Sequence, residues 1–352
     1  MAGAVIAPAM PAISAEFADA PLADLLTRFV LTTPALFIAL FAPVGGWLVD
    51  RIGRWPVLFA ALLLYAASGA SALLIDSLTG LLLGRAALGV AVGALITALT
   101  TLVGDCFDGQ QRNQVLGRQA AAAGLGGSVF QVFGGLLTGV SWRAPFALFL
   151  VAVLLLPLAL AAFRQQKTAG LQQPQQDDPA RAVPAVDGRD WSLRAVAGLC
   201  ACMLAGMGLF YMAPLQVPYL LPAMGHSGAA LAGLALSVNT LCAAWVSYRY
   251  PRIERLSSAR QRLVLVFVTL ALGLALIGLG WHLATVIIGL GLVGGAIGLL
   301  IPTVNQWLLR LAPGPIRGRI IGISTASLFL GQFLSPLLSQ PWVPMLGLDG
   351  GF

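Results

Sequence analysis

Charged residues are scarce in this sequence. Asp, Glu, Lys and Arg make up 9% of its 352 residues, whereas soluble domains carry about 25%. Hydrophobic residues make up 59%, and the mean hydropathy is +0.89. Apolar runs close to the roughly 20 residues that cross a bilayer as a helix recur along the whole chain, separated by short polar connectors. The composition therefore excludes an ordinary soluble domain and predicts a membrane protein with many spans.

Residues that bind metals or act as catalytic bases are equally scarce. The chain has two histidines, His226 and His282, both at the edges of predicted spans, and four cysteines without metal-ligand spacing. A membrane-embedded hydrolase would need a nucleophile and a base close together, and neither histidine is placed for that. We therefore predict no catalytic residue, no metal, no cofactor and no enzymatic activity.

Eleven apolar segments are predicted to be membrane helices, and the first of them is too short to cross the bilayer. One connector is long and polar (RQQKTAGLQQPQQDDPARAVP), which is typical of a flexible linker. It divides the chain into an N-terminal bundle (1–163), a linker (164–192) and a C-terminal bundle (193–352). The predicted spans are 1–16, 26–49, 57–75, 79–103, 115–138, 144–163, 193–215, 229–248, 263–281, 285–309 and 319–340.

The basic residues are distributed unevenly between alternate connectors. If successive connectors lie on opposite sides of the membrane, all of the 20 lysines and arginines except Arg28, Arg85 and Arg143 fall on the side of the linker. The positive-inside rule makes that side cytoplasmic, in the inner (plasma) membrane of a cell. This topology accounts for the net charge of +7, so we predict no nucleic-acid partner.

The two halves of the chain resemble each other at an offset of 205 residues. The segments GQQRNQVLG and GPIRGRIIG share two glycines and an arginine in register, and four further glycines coincide without gaps. Such a pattern is typical of secondary transporters built from duplicated six-span units. At this offset half of the first span and all of the twelfth are missing, so we expect a chain truncated at both ends. The further coinciding pairs are Gly84/Gly289, Gly89/Gly294, Gly93/Gly298 and Gly126/Gly331.

The stretch GGWLVDRIGRWP places charges and glycines between two long apolar runs. Gly53 permits a tight reversal, Gly46 permits close approach of a helix, and Asp50 is able to accept hydrogen bonds from a neighbouring helix N-terminus. Arg51 and Arg54 are expected at the level of the lipid headgroups. The alternative is an ordinary cytoplasmic turn that obeys the positive-inside rule.

The pattern Gly46-x-Leu48-x-Asp50-Arg51-x-Gly53-Arg54 resembles the signature loop of the major facilitator superfamily. The resemblance covers nearly the whole chain, because that family combines six spans, a polar linker and six more spans. It implies an all-α membrane protein with two six-helix bundles related by an internal repeat. It also implies that the loop is a gate, which holds the two halves together on the cytoplasmic side when the cavity faces outward.

Arg85 is a charge well inside a predicted span. It lies seven residues beyond Leu78, or about 10 Å into the bilayer, where an unpaired guanidinium is costly. Arg85, Gly89 and Gly93 resemble a second facilitator motif, found in proton-linked antiporters, so Arg85 is a candidate for the substrate or proton pathway. The alternatives are that Arg85 snorkels to the outer surface and that the glycines serve helix packing.

A third facilitator motif, Gly-Pro-x-x-Gly-Gly, is only partly present, since this chain reads FQVFGG. Gly134 and Gly135 match it and are expected to pack helices, whereas the Gly-Pro pair of typical drug/proton antiporters is absent. Gln131 lies at about the membrane height of Arg85 and is a second candidate for the pathway. The alternative is a glutamine satisfied within helix packing.

Five further polar residues in predicted spans are candidates for the pathway, because polar groups in hydrocarbon usually face a bundle interior. No carboxylate lies within the predicted spans, and Asp24 is expected to pair with Arg28 one helical turn away. The tenth span carries Pro302 and several glycines, among them Gly294 and Gly298, and is expected to bend and to pack closely. The five polar candidates are Tyr211, Gln216, Asn239, Asn305 and Gln332.

Together these features predict a secondary active transporter that moves a small, amphipathic solute across the membrane by alternating access. The resemblance favours proton-coupled efflux by a monomer, with the solute, the lipid bilayer and protons as partners. Two alternatives stay open. One is a uniporter or importer without proton coupling, which the lack of an intramembrane acid favours. The other is a membrane receptor or scaffold that does not transport.

Overall fold

The computed structural model describes residues 3, 5–107, 109–168, 193–226, 228–279, 282–311 and 317–339. Within these ranges the chain is helical and contains no β-strand. Three 3₁₀ helices accompany the α-helices, at Ala7–Ala9, Ser71–Leu73 and Ala144–Leu150. The α-helices are α1 (Met10–Glu16), α2 (Ala23–Ile52), α3 (Arg54–Ala70), α4 (Leu78–Cys106), α5 (Gly109–Thr138), α6 (Val151–Thr168), α7 (Leu193–Ala223), α8 (Ala229–Leu256), α9 (Ala259–Leu279), α10 (Leu283–Leu311) and α11 (Arg317–Ser339).

Ten helical segments in the described residues are long and apolar enough to cross a membrane. They comprise α2 to α5, α6 with the 3₁₀ helix before it, and α7 to α11. The all-helical membrane fold expected from the sequence is therefore confirmed. The first predicted span corresponds to the Ala7–Ala9 turn and α1, which pack against the longer helices through buried side chains such as Met10 and Ile13.

Because the helices alternate in direction, each end of the bundle carries alternate connections. We call one end the linker side; it carries the α2–α3 turn and the C-terminal ends of α4, α6, α8 and α10. We call the other end the far side; it carries the C-terminal end of α1, the start of α2 and the connections α3–α4, α7–α8 and α9–α10. These names are used below for all gates and contacts.

Two local signals set the helix boundaries that matter for the site. Gly53 alone separates α2 from α3, and its φ of 101° is a backbone conformation that favours glycine. On the far side, Ser77 caps the N-terminus of α4, because its hydroxyl oxygen accepts a hydrogen bond from the Gly80 amide. This cap fixes the start of the helix that carries Arg85.

The internal repeat is present in the structure at the expected offset. α4 and α10 are each 29 residues long, and they begin and end at positions 205 residues apart. α4 packs on α2 where a Cβ atom on Gly89 would collide with the Pro34 carbonyl oxygen. α10 packs on α8 where a Cβ atom on Gly294 would collide with the Asn239 carbonyl oxygen, at the same offset. The duplicated unit predicted from the glycine pattern is therefore confirmed.

The N-terminal and C-terminal halves meet along two helix pairs, α2 with α11 and α5 with α8. The repeat relates these pairs to each other, since α8 is the counterpart of α2 and α11 is that of α5. On the far side the pairs are tight. The rings of Phe29 and Phe333 stack with their centroids 5.2 Å apart, and Gly135 lies against the backbone of Ala229.

Towards the linker side the two halves separate. Residues 117–123 of α5 are exposed on every face of the helix, whereas Gln131, nearer the far side, is buried. The described part of the molecule is thus closed on the far side and open on the linker side.

Candidate functional site

An ion pair ties the α2–α3 turn to α4. The Nε of Arg54 forms a salt bridge with the Asp105 carboxylate, and the Nη2 of Arg54 donates a hydrogen bond to Asp105 Oδ1 at 3.3 Å. Asp105 lies in the last turn of α4, so the pair couples the loop to the helix that carries Arg85. The loop motif does not contain Asp105; its signal in the sequence is an acid at the end of an otherwise apolar helix.

The other charged residues of the loop have different surroundings. Asp50 is exposed and takes part in none of the ion pairs between described residues. The Arg51 guanidinium lies over the Trp47 ring, 5.2 Å from its centroid. Among the described residues, the Asp50 carboxylate therefore has no charged partner in this conformation.

The close helix approach expected at Gly46 is not seen. A Cβ atom on Gly46 would meet no atom within 4 Å, whereas one on the preceding residue, Gly45, would lie 3.5 Å from both Ala94 and Thr97 of α4. The sequence shows two adjacent glycines, and only the helix phase decides which of them faces α4. In this structure that residue is Gly45.

Arg85 points into the N-terminal half and is fully buried. Its Nη2 donates hydrogen bonds to the carbonyl oxygens of Gly69, at 2.8 Å, and Ser68, at 3.4 Å. Both carbonyls belong to the last turn of α3, where helix carbonyls lack partners along the helix and carry negative partial charge. Arg85 therefore caps the C-terminus of α3.

Aromatic rings complete the surroundings of Arg85. Its guanidinium carbon lies 4.9 Å from the ring centroid of Phe146 and 5.0 Å from that of Phe149. Nε and Nη1 have no hydrogen-bond partner among the residues that the structure describes. The snorkelling alternative does not apply, because the side chain reaches no surface. Gln131, which the sequence places at a similar height, is not among the hydrogen-bond partners of Arg85.

Gln131 instead joins the two halves of the molecule. Its side chain is buried, and its Oε1 accepts a hydrogen bond of 2.9 Å from the Thr240 hydroxyl on α8. The backbone carbonyl of Gln131 also lies against Gly233, where a Cβ atom would collide with it. Gln131 is thus part of the closed contact between α5 and α8.

The predicted packing glycines fall into two groups. Gly89 and Gly93 contact α2, and their repeat counterparts Gly294 and Gly298 contact α8, so these four bind helices within one half. Gly134 lies against the backbone of Val5 within the N-terminal half. Gly135, by contrast, contacts α8 across the interface between the halves.

The remaining polar candidates lie in the C-terminal half and form no single cluster. The side chains of Tyr211 on α7 and Gln332 on α11 are hydrogen-bonded. The Ser324 hydroxyl donates a hydrogen bond of 3.5 Å to Asn305 Oδ1.

Two of these candidates have oxygens without a partner in this conformation. They are the side-chain oxygens of Gln216 on α7 and Asn239 on α8, both buried. The Asn239 oxygen faces Gly294 of α10, where a Cβ atom would lie 2.6 Å from it.

A polar contact that the sequence analysis does not identify closes the far side. The hydroxyl oxygens of Ser14 on α1 and Tyr219 on α7 lie 2.6 Å apart. When the Tyr219 hydroxyl donates to the Met10 carbonyl at 3.3 Å, Ser14 is the donor to Tyr219; the Ser14 hydroxyl oxygen also lies 3.3 Å from Thr27 Oγ1. We call Ser14, Tyr219 and Thr27 the far gate.

The C-terminal half has its own ion pair on the linker side. Arg310 Nη2 lies 2.7 Å from Glu254 Oε1, which joins the end of α10 to the end of α8. Arg310 is the repeat counterpart of Asp105. The equivalent ends of α4 and α10 therefore each carry one member of an ion pair, an acid on α4 and a base on α10. Within the described residues no group of three or more His, Cys, Asp and Glu side chains is placed to bind a metal ion.

Two solved transporter structures share this fold. The chain is similar to the xylose transporter XylE from E. coli in an inward-open conformation, with a TM-score of 0.72, 14% sequence identity, and coverage of 100% of this chain and 89% of that one. It is also similar to a peptide transporter, POT, with a TM-score of 0.70, 13% identity, and coverage of 99% and 88%. At these identities the similarity shows the fold alone.

Sequence relatives identify the family. The chain is 31% identical over 328 residues to the class C tetracycline resistance protein of Escherichia coli, covering 88% of this chain and 78% of that protein. It is 27% identical over 348 residues to the multidrug efflux protein YfmO of Bacillus subtilis, covering 95% and 81%. Residues 1–336 match the Major Facilitator Superfamily profile. Together with the two-bundle repeat, these findings show that the chain belongs to the major facilitator superfamily of membrane transporters.

Proposed function

We propose that this transporter exports a small amphipathic solute from the cytoplasm by alternating access, driven by protons. The observation that carries the proposal is the asymmetry of the interface: the halves are sealed at the far gate and open on the linker side. The named activities of the relatives, tetracycline resistance and multidrug efflux, support export. The family and the fold point to transport rather than to an enzyme.

The basic residues orient the transporter in the membrane. Arg51, Arg54, Arg255 and Arg310 lie on the linker side, and the positive-inside rule makes that side cytoplasmic. On this orientation the conformation described is inward-facing and receives solute from the cytoplasm. Impermeant thiol reagents should label a cysteine placed at Ser257 only from the cytoplasm and one at Gly225 only from outside.

The domain division follows the two halves of the repeat. We assign residues 1–163 to an N-terminal bundle, 164–192 to a cytoplasmic linker and 193–352 to a C-terminal bundle, acting together as a monomer. The described helices α1 to α6 belong to the first bundle, apart from the last residues of α6, and α7 to α11 to the second. Residues 169–192 of the linker lie outside the described residues.

The α2–α3 loop is the cytoplasmic gate in this proposal. Asp50 is unpaired while the linker side is open, and α11 is the neighbour of α2 across the interface. When the linker side closes, the Asp50 carboxylate approaches the N-terminal end of α11, where free N–H groups favour an anion. The Arg54–Asp105 pair holds the loop in position for this contact.

Gln131, Tyr211, Gln216, Asn239, Asn305 and Gln332 are proposed to contribute to the solute pathway. The buried, unpartnered oxygens of Gln216 and Asn239 support this assignment most directly. Arg85 is proposed to support the pathway indirectly, because it fixes the end of α3 against α4. Solute recognition then depends on neutral polar groups and the surrounding apolar side chains.

One observation favours transport without proton coupling as the second candidate. Every described carboxylate lies in a terminal turn of a helix or in a connection, and none lies midway along a membrane span. Proton antiport usually depends on a buried acid whose protonation changes with conformation. A uniporter or an importer needs no such group.

Everted vesicles that contain the protein test the proposal. With tetracycline and a fluorescent quinolone as probes, we expect accumulation in the vesicles that rises when an inside-acid pH gradient is imposed and collapses with a protonophore. Accumulation that ignores the pH gradient would support facilitated transport instead. No accumulation of either probe above empty vesicles would contradict export of this class of solute.

A further inference from the structure

Arg28 is a buried cation at the closed far side of the interface. It lies in the second turn of α2, and 6% of its surface is exposed. Its guanidinium carbon lies 5.8 Å from the ring centroid of Tyr219, which belongs to α7 and to the other half of the molecule. The surroundings of this charge therefore depend on whether the halves are in contact.

The charge of Arg28 is poorly compensated while the far side is closed. Its Nη1 is buried and has no hydrogen-bond partner among the described residues. The ion pair with Asp24 that the sequence predicts is not formed, although Asp24 lies one turn away on the same helix. A buried charged donor without a partner costs free energy.

A second unpartnered group lies beside it. Thr32, one turn further along α2, is fully buried, and its hydroxyl has no hydrogen-bond partner in the part of the chain that the structure describes. Arg28 and Thr32 share one face of the helix, because residues four apart lie above each other. While the far side is closed, two polar groups on one face of α2 are thus buried without a hydrogen-bond partner among the described residues.

Opening the far side relieves this condition. Water then reaches Nη1. Asp24, which is exposed at the start of α2, can then pair with Arg28, because the acid precedes the base by four residues, the favourable order on a helix. Opening also loses the attraction between the guanidinium and the Tyr219 ring. That ring, however, compensates the charge without accepting the Nη1 hydrogen bond, so the balance favours the open state.

Other contacts act in the opposite direction. The Ser14–Tyr219 hydrogen bond of 2.6 Å and the stacked rings of Phe29 and Phe333 exist only while the far side is closed. These contacts are neutral and well satisfied. Left alone, they would hold the far side shut, and a transporter needs both conformations to be populated in its cycle.

We propose that Arg28 destabilises the conformation that is closed on the far side. It thereby counteracts the far-gate contacts, which stabilise that conformation, and shifts the conformational equilibrium towards the open state. Arg28 is a positioning residue, because it acts through the equilibrium between the two conformations and not by contact with solute. The inference rests on the proposed alternating access, and it depends neither on the identity of the solute nor on proton coupling.

The test is a distance measurement across the far side that needs no solute. Spin labels are attached to cysteines at Ala18 and Ala223, both exposed, in a full-length chain whose four native cysteines have been replaced. Pulsed electron resonance then gives the ratio of short to long distances in lipid nanodiscs. Arg28→Met removes the charge and retains an extended apolar side chain; we expect it to raise the ratio of closed to open molecules about tenfold.

Two further variants make the result specific. Arg28→Lys keeps the charge on a more strongly hydrated group, so it should leave the ratio unchanged or lower it. Arg143→Met is the matched control, because Arg143 is a far-side arginine that pairs with Asp76 and lies within the N-terminal half; it should leave the ratio unchanged. Each variant is first checked for a monodisperse elution profile.

Three results would overturn the proposal: a lower ratio in Arg28→Met, which would make Arg28 a closing contact, an unchanged ratio in that variant, or an equal rise in Arg143→Met. If Arg28→Met does not fold, Asp24→Asn replaces it. This variant removes the carboxylate that receives Arg28 in the open state, and it should raise the ratio by about threefold, in line with a weak exposed pair. An unchanged or lower ratio there would also overturn the proposal. These distance measurements do not depend on transport, so they would still test the proposal if the vesicle transport assay failed.

Discussion

Ser14 and Tyr219 are hydrogen-bonded to each other and are also equivalent positions of the internal repeat. Their hydroxyl oxygens lie 2.6 Å apart, and they are separated in sequence by 205 residues, the offset that superimposes the two halves. Equivalent residues meet where a twofold relation brings a surface onto its own copy. The far gate therefore lies at the axis about which the halves are related, where a small rotation separates the pair.

Loss of the Tyr219 hydroxyl should open the far side. Tyr219→Phe removes the hydrogen bonds to Ser14 and to the Met10 carbonyl and keeps the ring that faces Arg28. A buried neutral hydrogen bond is worth about 1 kcal/mol, so the population open on the far side should rise about fivefold. Labelling of a cysteine near the gate by an external maleimide checks this, and an unchanged rate would contradict it.

Helix packing within each half should depend on Gly89 and Gly294 to a similar degree. A Cβ atom at either position would collide with a backbone carbonyl of the neighbouring helix, and overpacking of this kind costs about 1–3 kcal/mol. We expect Gly89→Ala and Gly294→Ala each to lower the unfolding temperature in detergent by several degrees. Gly198→Ala on α7 is the control, since a Cβ atom there meets nothing within 4 Å. Equal stability of all three variants would show that the contacts are looser than described.

Arg85→Lys should act mainly on stability. A lysine loses the planar fork that bonds the Ser68 and Gly69 carbonyls while stacking near two phenylalanine rings. We expect the unfolding temperature to fall by about 5 °C, which corresponds to the loss of one charged hydrogen bond. Reduced transport with an unchanged unfolding temperature would instead place Arg85 in the pathway.

Asp50→Asn should impair transport without destabilising the conformation described. Asp50 is exposed and has no ion pair among the described residues while the linker side is open. Its proposed partner, the start of α11, is reached only on closure. We expect vesicle accumulation of tetracycline to fall about tenfold, with an unchanged unfolding temperature; Asp76→Asn, a far-side exposed acid, serves as the control. Accumulation equal to the control would reject the gating role.

The sequence predicts the repeat and the positions of close helix packing well, because a close helix contact leaves a glycine at a fixed position. The register of Gly89 with Gly294 and of Gly93 with Gly298 is visible in the letters, and both pairs contact backbone carbonyls in the structure. The same logic fails for adjacent glycines. Gly45 and Gly46 look alike in sequence, and the rotation of α2 about its axis decides which of them faces α4.

Contacts between distant helices are harder to predict, for two physical reasons. Arg85 is satisfied by backbone carbonyls, which every residue carries and which leave no mark in the sequence. Ser14 and Tyr219 differ in residue type, so the repeat does not reveal that they meet. For Arg28, the nearby Asp24 suggests a local pair, but packing of the other half onto α2 directs the guanidinium towards Tyr219 instead.

Distances measured on both sides of the membrane test the central claim most directly. One label pair spans the far side, at Ala18 and Ala223, and a second spans the linker side, at Ile52 and Leu309, all of them exposed. Alternating access predicts two populations of molecules: one with a short far-side distance and a long linker-side distance, and one with the reverse. Tyr219→Phe should lengthen the far-side distance and shorten the linker-side distance in the same molecules. A single fixed distance on both sides, or distances that lengthen together, would contradict the account.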